Sequence, residues 1–135
     1  MIYLTRHEHF NAAHKLYNPN WSKEKNHEVF GLCANENWHG HNFELIVTVK
    51  GEINPETGYF INVKELSKII QEHIIEKLDH KNLNLDVSFL QGVMPTTENL
   101  AMAIWNELLL HLPAGVMLHS VKIYETPRIC VEYFG

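Results

Sequence analysis

From His39 the chain alternates strictly, with His39, His41, Phe43, Leu45, Val47 and Val49 on one side, until Gly51 breaks the pattern. Side chains alternate across a strand, so this period predicts a strand with one largely apolar face. Residues Ile2 to Phe10 alternate in part, Tyr3, Thr5, His7 and His9 against Ile2, Leu4, Arg6, Glu8 and Phe10, and predict an earlier strand. Between the two, Asn18 to Asn37 is rich in Asn and charge, carries Pro19 and Gly31, and has no clean period. It reads as a long irregular loop with a short helix near Lys23 to Phe30. Loops of such length are uncommon in compact domains and are often functional.

Asn54-Pro55-Glu56-Thr57-Gly58 is turn chemistry, and beyond it the period becomes helical. Asn62 is a plausible N-cap with Glu65 three residues on, and Val63, Leu66, Ile69, Ile70, Ile74 and Leu78 predict a helix from about Val63 to Leu78. Asp79-His80-Lys81-Asn82-Leu83-Asn84 ends it. A threonine cap in Pro95-Thr96-Thr97-Glu98 then precedes Leu100, Ala101, Ile104, Trp105, Leu108, Leu109 and Leu112, a second helix that stops before Pro113. Strands over about Val116 to Tyr124 and Arg128 to Phe134, joined by Glu125-Thr126-Pro127, close the chain as a hairpin. The order β, loop, β, α, α, β, β predicts an α+β domain, an antiparallel sheet with two helices on one face.

At 135 residues, against a soft prior of about 150 per domain, residues 1–135 make one domain. Lys and Arg number 11 and Asp and Glu 16, a balance of −5 that lacks the basic surplus of a nucleic-acid binder. No apolar run is long enough for a spanning helix, and Met1 to Arg6 lacks a signal peptide's apolar stretch, so no membrane association is expected and the expected location is the cytoplasm. Cys33 and Cys130 are too few for a disulfide framework and are expected as thiols.

Histidine is the unusual component, with ten in the chain, several at the short spacings that metal sites use. His39-Gly40-His41 sets two imidazoles on one strand face, about 7 Å apart at ~3.3 to 3.4 Å per residue. Gly40 leaves room for close backbone approach, and Asn42 offers a group that could fix an imidazole tautomer. If the first two strands pair antiparallel, His14 lies beside that pair. Three neutral nitrogens with a fourth position open is how a catalytic zinc site is built, although a His-x-His pair is also compatible with a solvated or core role. Cys33 sits in a polar loop, where a thiol is either an inert residue, a fourth ligand, or a base or nucleophile activated by its neighbours. Asp79-His80 is an adjacent acid and imidazole that can cooperate only if the helix has already ended; a terminating surface pair is the competing account. Cys130, His7, His9, His27, His73, His111 and His119 read as ordinary strand, loop or helix-surface residues.

Taken together, Phe10-Asn11-Ala12-Ala13-His14, Cys33 separated by five residues from His39-Gly40-His41-Asn42, Leu78-Asp79-His80, Pro95-Thr96-Thr97-Glu98-Asn99 and Tyr124-Glu125-Thr126 resemble the 6-pyruvoyltetrahydropterin synthase / 6-carboxytetrahydropterin synthase family over nearly the whole chain. The resemblance implies a tunnelling fold, in which four-stranded sheets of three subunits close a barrel and two trimers stack as a homohexamer with active sites at subunit contacts. It implies zinc held by His14, His39 and His41, a proton-transferring thiol at Cys33 with Asp79 and His80 completing its relay, and a pterin ring anchored by Glu125 with help from Thr96 and Thr97. The implied substrate is 7,8-dihydroneopterin triphosphate. An acidic chain needs a local basic patch for the triphosphate, and Lys15, Lys23 and Lys25 are near enough in sequence to supply it.

The family divides by product. Compact members are common in bacteria, where the 6-carboxy product for queuosine, released with acetaldehyde, is the usual role, and that lyase activity is the reading adopted from sequence. The five-residue gap between Cys33 and His39 instead looks like the pyruvoyl branch, so 6-pyruvoyltetrahydropterin synthesis is the alternative. Glu36, near the histidine pair, raises 6-hydroxymethyl-dihydropterin formation as a further possibility. A non-catalytic zinc-stabilised pterin-binding subunit and a metal-dependent hydrolase are rivals from other classes.

Overall fold

The computed structural model of the protein describes residues Met1 to Gly135. The chain runs β1 (Ile2–His14), α1 (Lys23–Phe30), β2 (His39–Gly51), α2 (Val63–Ile70), α3 (Glu76–Leu78), β3 (Lys81–Asn82), α4 (Thr97–Leu109), β4 (Met117–Thr126) and β5 (Ile129–Tyr133). A π-helical turn, Gln71–Ile75, fuses α2 to α3, and 3-10 turns occupy Gly31–Ala34 and Ser88–Leu90. Long antiparallel pairing of β1 with β2, from Ile2 opposite Gly51 to His14 opposite His39, forms the spine. β1 runs past Phe10, where alternation predicts its end. Asn11 to His14 have little strand preference of their own, and the ladder to β2 holds them extended.

The sheet order is β3-β1-β2-β4-β5, so the sheet has five strands rather than the expected four. The four expected strands are all present and pair antiparallel with one another, β1 with β2, β2 with β4 and β4 with β5. The added β3 is two residues long and runs parallel to β1. It exists because the chain leaving α3 lies along the free edge of β1. There the His80 amide donates to the Asn11 carbonyl at 2.6 Å and the Leu83 amide to that of Ala13 at 2.8 Å. Closure of sheets from several subunits into a barrel is a property of an assembly and is taken up below.

Both main helices begin where their caps predict. The Asn62 side chain accepts from the Lys64 amide, and Thr96 Oγ1 from that of Asn99. The inner sheet face presents Phe10, Phe43, Leu45, Val47 and Val49, with the Phe10 and Phe43 rings stacked at 4.9 Å. Leu66, Ile70, Ile74 and Leu78 cover it from the α2–α3 rod, and Leu100, Ile104 and Leu108 from α4, all fully buried. The π turn brings the consecutive residues Ile74 and Ile75 both into this core. No helix is long and apolar enough to cross a membrane. Leu66→Ala removes a side chain with no exposed surface and is expected to lower the unfolding free energy by about 2–5 kcal/mol, measured by denaturant titration at unchanged m-value.

Candidate functional site

The alternation that builds the core also builds the site. On the inner face, β1 presents Phe10, Ala12 and His14 in sequence and β2 presents Phe43, His41 and His39, so at one end of the sheet hydrocarbon gives way to imidazole. The ligand atoms of His14, His39 and His41 all lie within 4.8 Å of one another. Close strand approach at this point depends on Gly40, where a Cβ would stand 3.2 Å from the Ala12 carbonyl oxygen.

His14 is 2% exposed, and its Nδ1 lies 2.8 Å from the carbonyl oxygen of Pro95. A carbonyl only accepts, so Nδ1 carries the proton and Nε2 keeps its lone pair. Three buried nitrogens, His14 Nε2, His39 Nδ1 and His41 Nε2, have no hydrogen-bond partner. A buried polar atom left unpaired costs about 1–3 kcal/mol, so three that converge fit a cation accepting nitrogen donors. Burial pushes the pKa values of His14 and His39 below the ordinary histidine value, and their neighbouring imidazoles push them the same way. Neutral imidazole is the form that ligates. Asn42, the expected tautomer-fixing group, instead accepts from Asn11 on the outer face; the Pro95 carbonyl has that task for His14. Nothing in a sequence marks a backbone carbonyl for such a role.

Glu125 reaches the same place from β4, where it is the penultimate residue of the strand rather than part of the turn. Its Oε2 accepts from the hydroxyl of the buried Thr97, and its Oε1 lies 3.7 Å from His41 Nε2. Thr96 has a different position, its hydroxyl spent on starting α4.

Cys33 is half-buried in the 3-10 turn Gly31–Ala34, and its carbonyl accepts from the Leu16 amide at 2.8 Å, which ties the loop to the chain just beyond His14. Asp79 and His80 lie elsewhere, at the outer edge of β1. Helix α3 ends at Leu78, which frees them to face each other. Asp79 Oδ1 accepts from the Asn11 amide at 2.8 Å and its Oδ2 lies 2.9 Å from His80 Nδ1. The Asn11 N–H, and secondarily His80, hold the Asp79 carboxyl below its ordinary range. Within one chain the structure therefore gathers two groups, the imidazoles with Glu125 and Thr97, and separately Asp79 with His80. The only non-glycine residues with positive φ are Trp38 at 67° and His80 at 59°. Left-handed backbone at bulky residues is strained and clusters at functional sites, and here one adjoins His39 and the other belongs to the acid–imidazole pair.

The family model for 6-pyruvoyl tetrahydropterin synthase matches residues 3–135. The chain belongs to that family. Human 6-pyruvoyl tetrahydrobiopterin synthase is 47% identical over 132 residues, spanning 98% of this chain and 90% of the relative. The Drosophila melanogaster protein of the same name is 44% identical over 135 residues, with 100% and 80% covered. The Caenorhabditis elegans 6-pyruvoyl tetrahydropterin synthase structure matches with a TM-score of 0.92 at 34% identity, covering 99% of this chain and 95% of that one.

These relatives overturn the 6-carboxy, acetaldehyde-releasing reading taken from chain compactness. Members of the 6-pyruvoyl tetrahydropterin synthase family at 43–47% identity carry the pyruvoyl name. Compactness carries no information about the product, whereas the five-residue spacing between Cys33 and His39 points to the pyruvoyl alternative.

Proposed function

We propose that this protein, as a single catalytic domain over residues 1–135, is a zinc-dependent lyase that converts 7,8-dihydroneopterin triphosphate to 6-pyruvoyltetrahydropterin with loss of triphosphate. The observation that carries the proposal is the convergence of three unpartnered imidazole nitrogens beside a carboxylate held by Thr97. Its donor set, all nitrogen and leaving one position open, suits zinc.

His14, His39 and His41 would hold the zinc. When bound, zinc supplies Lewis acidity toward the side-chain oxygens of the substrate and so acidifies the adjacent carbon-bound protons. The chain's own groups supply the rest. Glu125 accepts two hydrogen bonds from the amidine-like edge of the pterin, which fixes orientation as well as affinity, and Thr97 keeps that carboxylate aimed. Cys33, as thiolate, takes a carbon-bound proton. The Asp79–His80 pair relays it, Asp79 remaining ionised and orienting the His80 ring.

Such a relay needs a partner subunit. Asp79 and His80 sit on the outer edge of β1, which β3 covers only at Ala12 and Ala13, and a homohexamer of two stacked trimers, each closing its sheets into a barrel, would bring them to the Cys33 of another subunit.

Incubating the zinc-loaded protein with 7,8-dihydroneopterin triphosphate, with mass spectrometry of the pterins and trapping of aldehydes, is expected to give the 6-pyruvoyl product and no acetaldehyde. Released acetaldehyde with a 6-carboxy product would refute the assignment. Glu125→Gln keeps the size of the side chain and removes its charge. It is expected to raise KM by about 10–100-fold, the worth of a charge-assisted hydrogen bond, with a smaller change in kcat; steady-state kinetics separates the two.

A further inference from the structure

The π turn Gln71–Ile75 that joins α2 to α3 is a geometry rare in helices and frequent at functional sites. Its last residue is bonded directly to the acid–imidazole pair, the Asp79 amide donating to the Ile75 carbonyl at 2.8 Å. We infer that Gln71 and His73, which hold this turn from two sides, are positioning residues for Asp79 and His80; the inference rests on the proposed relay for what that pair does.

Gln71 fastens the turn to β1. A carboxylate only accepts, so Gln71 Nε2 donates to Glu8 Oε2, at 2.8 Å, while Arg6 Nε donates to the other oxygen of Glu8 at 2.7 Å. Both oxygens of a carboxylate whose side chain is only 11% exposed are thereby bonded. Three residues along the same strand, Asn11 holds the pair itself. Its amide donates to Asp79 Oδ1 at 2.8 Å and its carbonyl accepts from the His80 amide at 2.6 Å. The segment from Gln71 to His80 is therefore tied to β1 at both ends.

His73 fastens the turn to α4. Its ring lies on that of His111, the centroids 3.5 Å apart and the planes 6° from parallel. His111 stands just past the end of α4, where its Nε2 lies 3.3 Å from Glu107 Oε1 and its amide donates to the Leu108 carbonyl at 3.0 Å, so the ring that His73 stacks on is itself held. Gln71, His73, Glu107 and His111 are all half-buried, at the rim of the core rather than inside it. Polar contacts at such a rim add little net stability but fix direction. Direction is what a proton relay needs, since a displacement of about 1 Å at a reacting group can cost about a hundredfold in rate. Neither histidine has a sequence signature for this task, and both read there as surface residues.

Gln71→Leu removes the donor to Glu8 and keeps the bulk, and His73→Ala removes the stack. In the zinc-loaded protein each is expected to lower kcat for the pterin triphosphate by about ten- to a hundredfold, with KM little altered because other groups hold the substrate. His73→Phe, whose flat ring can lie on His111, is expected to recover most of the rate. A double-mutant cycle decides between positioning and general damage. In a His80→Ala background the loss from Gln71→Leu or His73→Ala should vanish, whereas a structural defect costs the same factor in both backgrounds. Hydrogen exchange at the Asn11 amide, the donor to Asp79, should quicken in both variants. Unchanged kcat, unaltered exchange at Asn11, or an equal loss with and without His80 would overturn the positioning role and leave the relay standing. Parent-level turnover in His80→Ala would instead overturn the relay, and the positioning role with it.

Discussion

Alanine at His14 is expected to strip the metal and lower turnover by about a thousandfold or more, the several kcal/mol a Lewis-acid metal contributes. His14 is the ligand for which the fold makes the most specific provision, buried at 2% exposure with one nitrogen bound to Pro95 and the other unpartnered. The two remaining imidazoles would hold zinc too weakly to retain it through purification. Metal analysis of the purified variant and initial rates measure both effects. A chelator should lower the melting temperature of the parent, because a ligand that binds only the folded state stabilises it, and should leave that of the His14→Ala variant nearly unchanged. Full metal content with full activity in the variant would remove the histidines from the mechanism.

Cys33→Ala is expected to lower kcat by about 10^2–10^4, the usual worth of a positioned general base, while metal content and fold persist. The loop is held by its backbone bond to Leu16, which alanine preserves, and the thiol is only half-buried, so removing sulfur costs little packing. Retained zinc and unchanged circular dichroism beside lost turnover would separate an enzyme from a pterin-binding subunit, for which the substitution should be neutral. Undiminished turnover would exclude the thiol as the base.

The imidazole cluster was legible because strand alternation is a strict geometric rule. Once His39 and His41 share a face and β1 pairs antiparallel with β2, His14 has one place to be. Both helix starts were legible for a similar reason, their caps being local chemistry. The features that escaped have no local signature. Two residues of β3 carry no period, and the Pro95 carbonyl has no side chain to announce it. Glu125 falls in a predicted turn because Thr126 and Pro127 follow it, yet pairing of β4 with β5 extends the strand through Thr126. The separation of Asp79 and His80 from Cys33 within one chain depends on tertiary placement, which motif order does not encode. Product branch is harder still, since it depends on how one bound intermediate partitions.

The π turn at Gln71–Ile75 sets the phase of everything after it. Each residue of an α-helix advances about 100° around the axis; the wide turn absorbs one residue more than an α-helical turn holds, and a further insertion into the rod with no second widening would rotate Leu78 out of the hydrocarbon interior and swing Asp79 off the Asn11 amide. The exposed Ile53–Gly58 loop offers no such coupling. Among descendants of this chain, length variation should therefore accumulate in that loop and be purged from the rod.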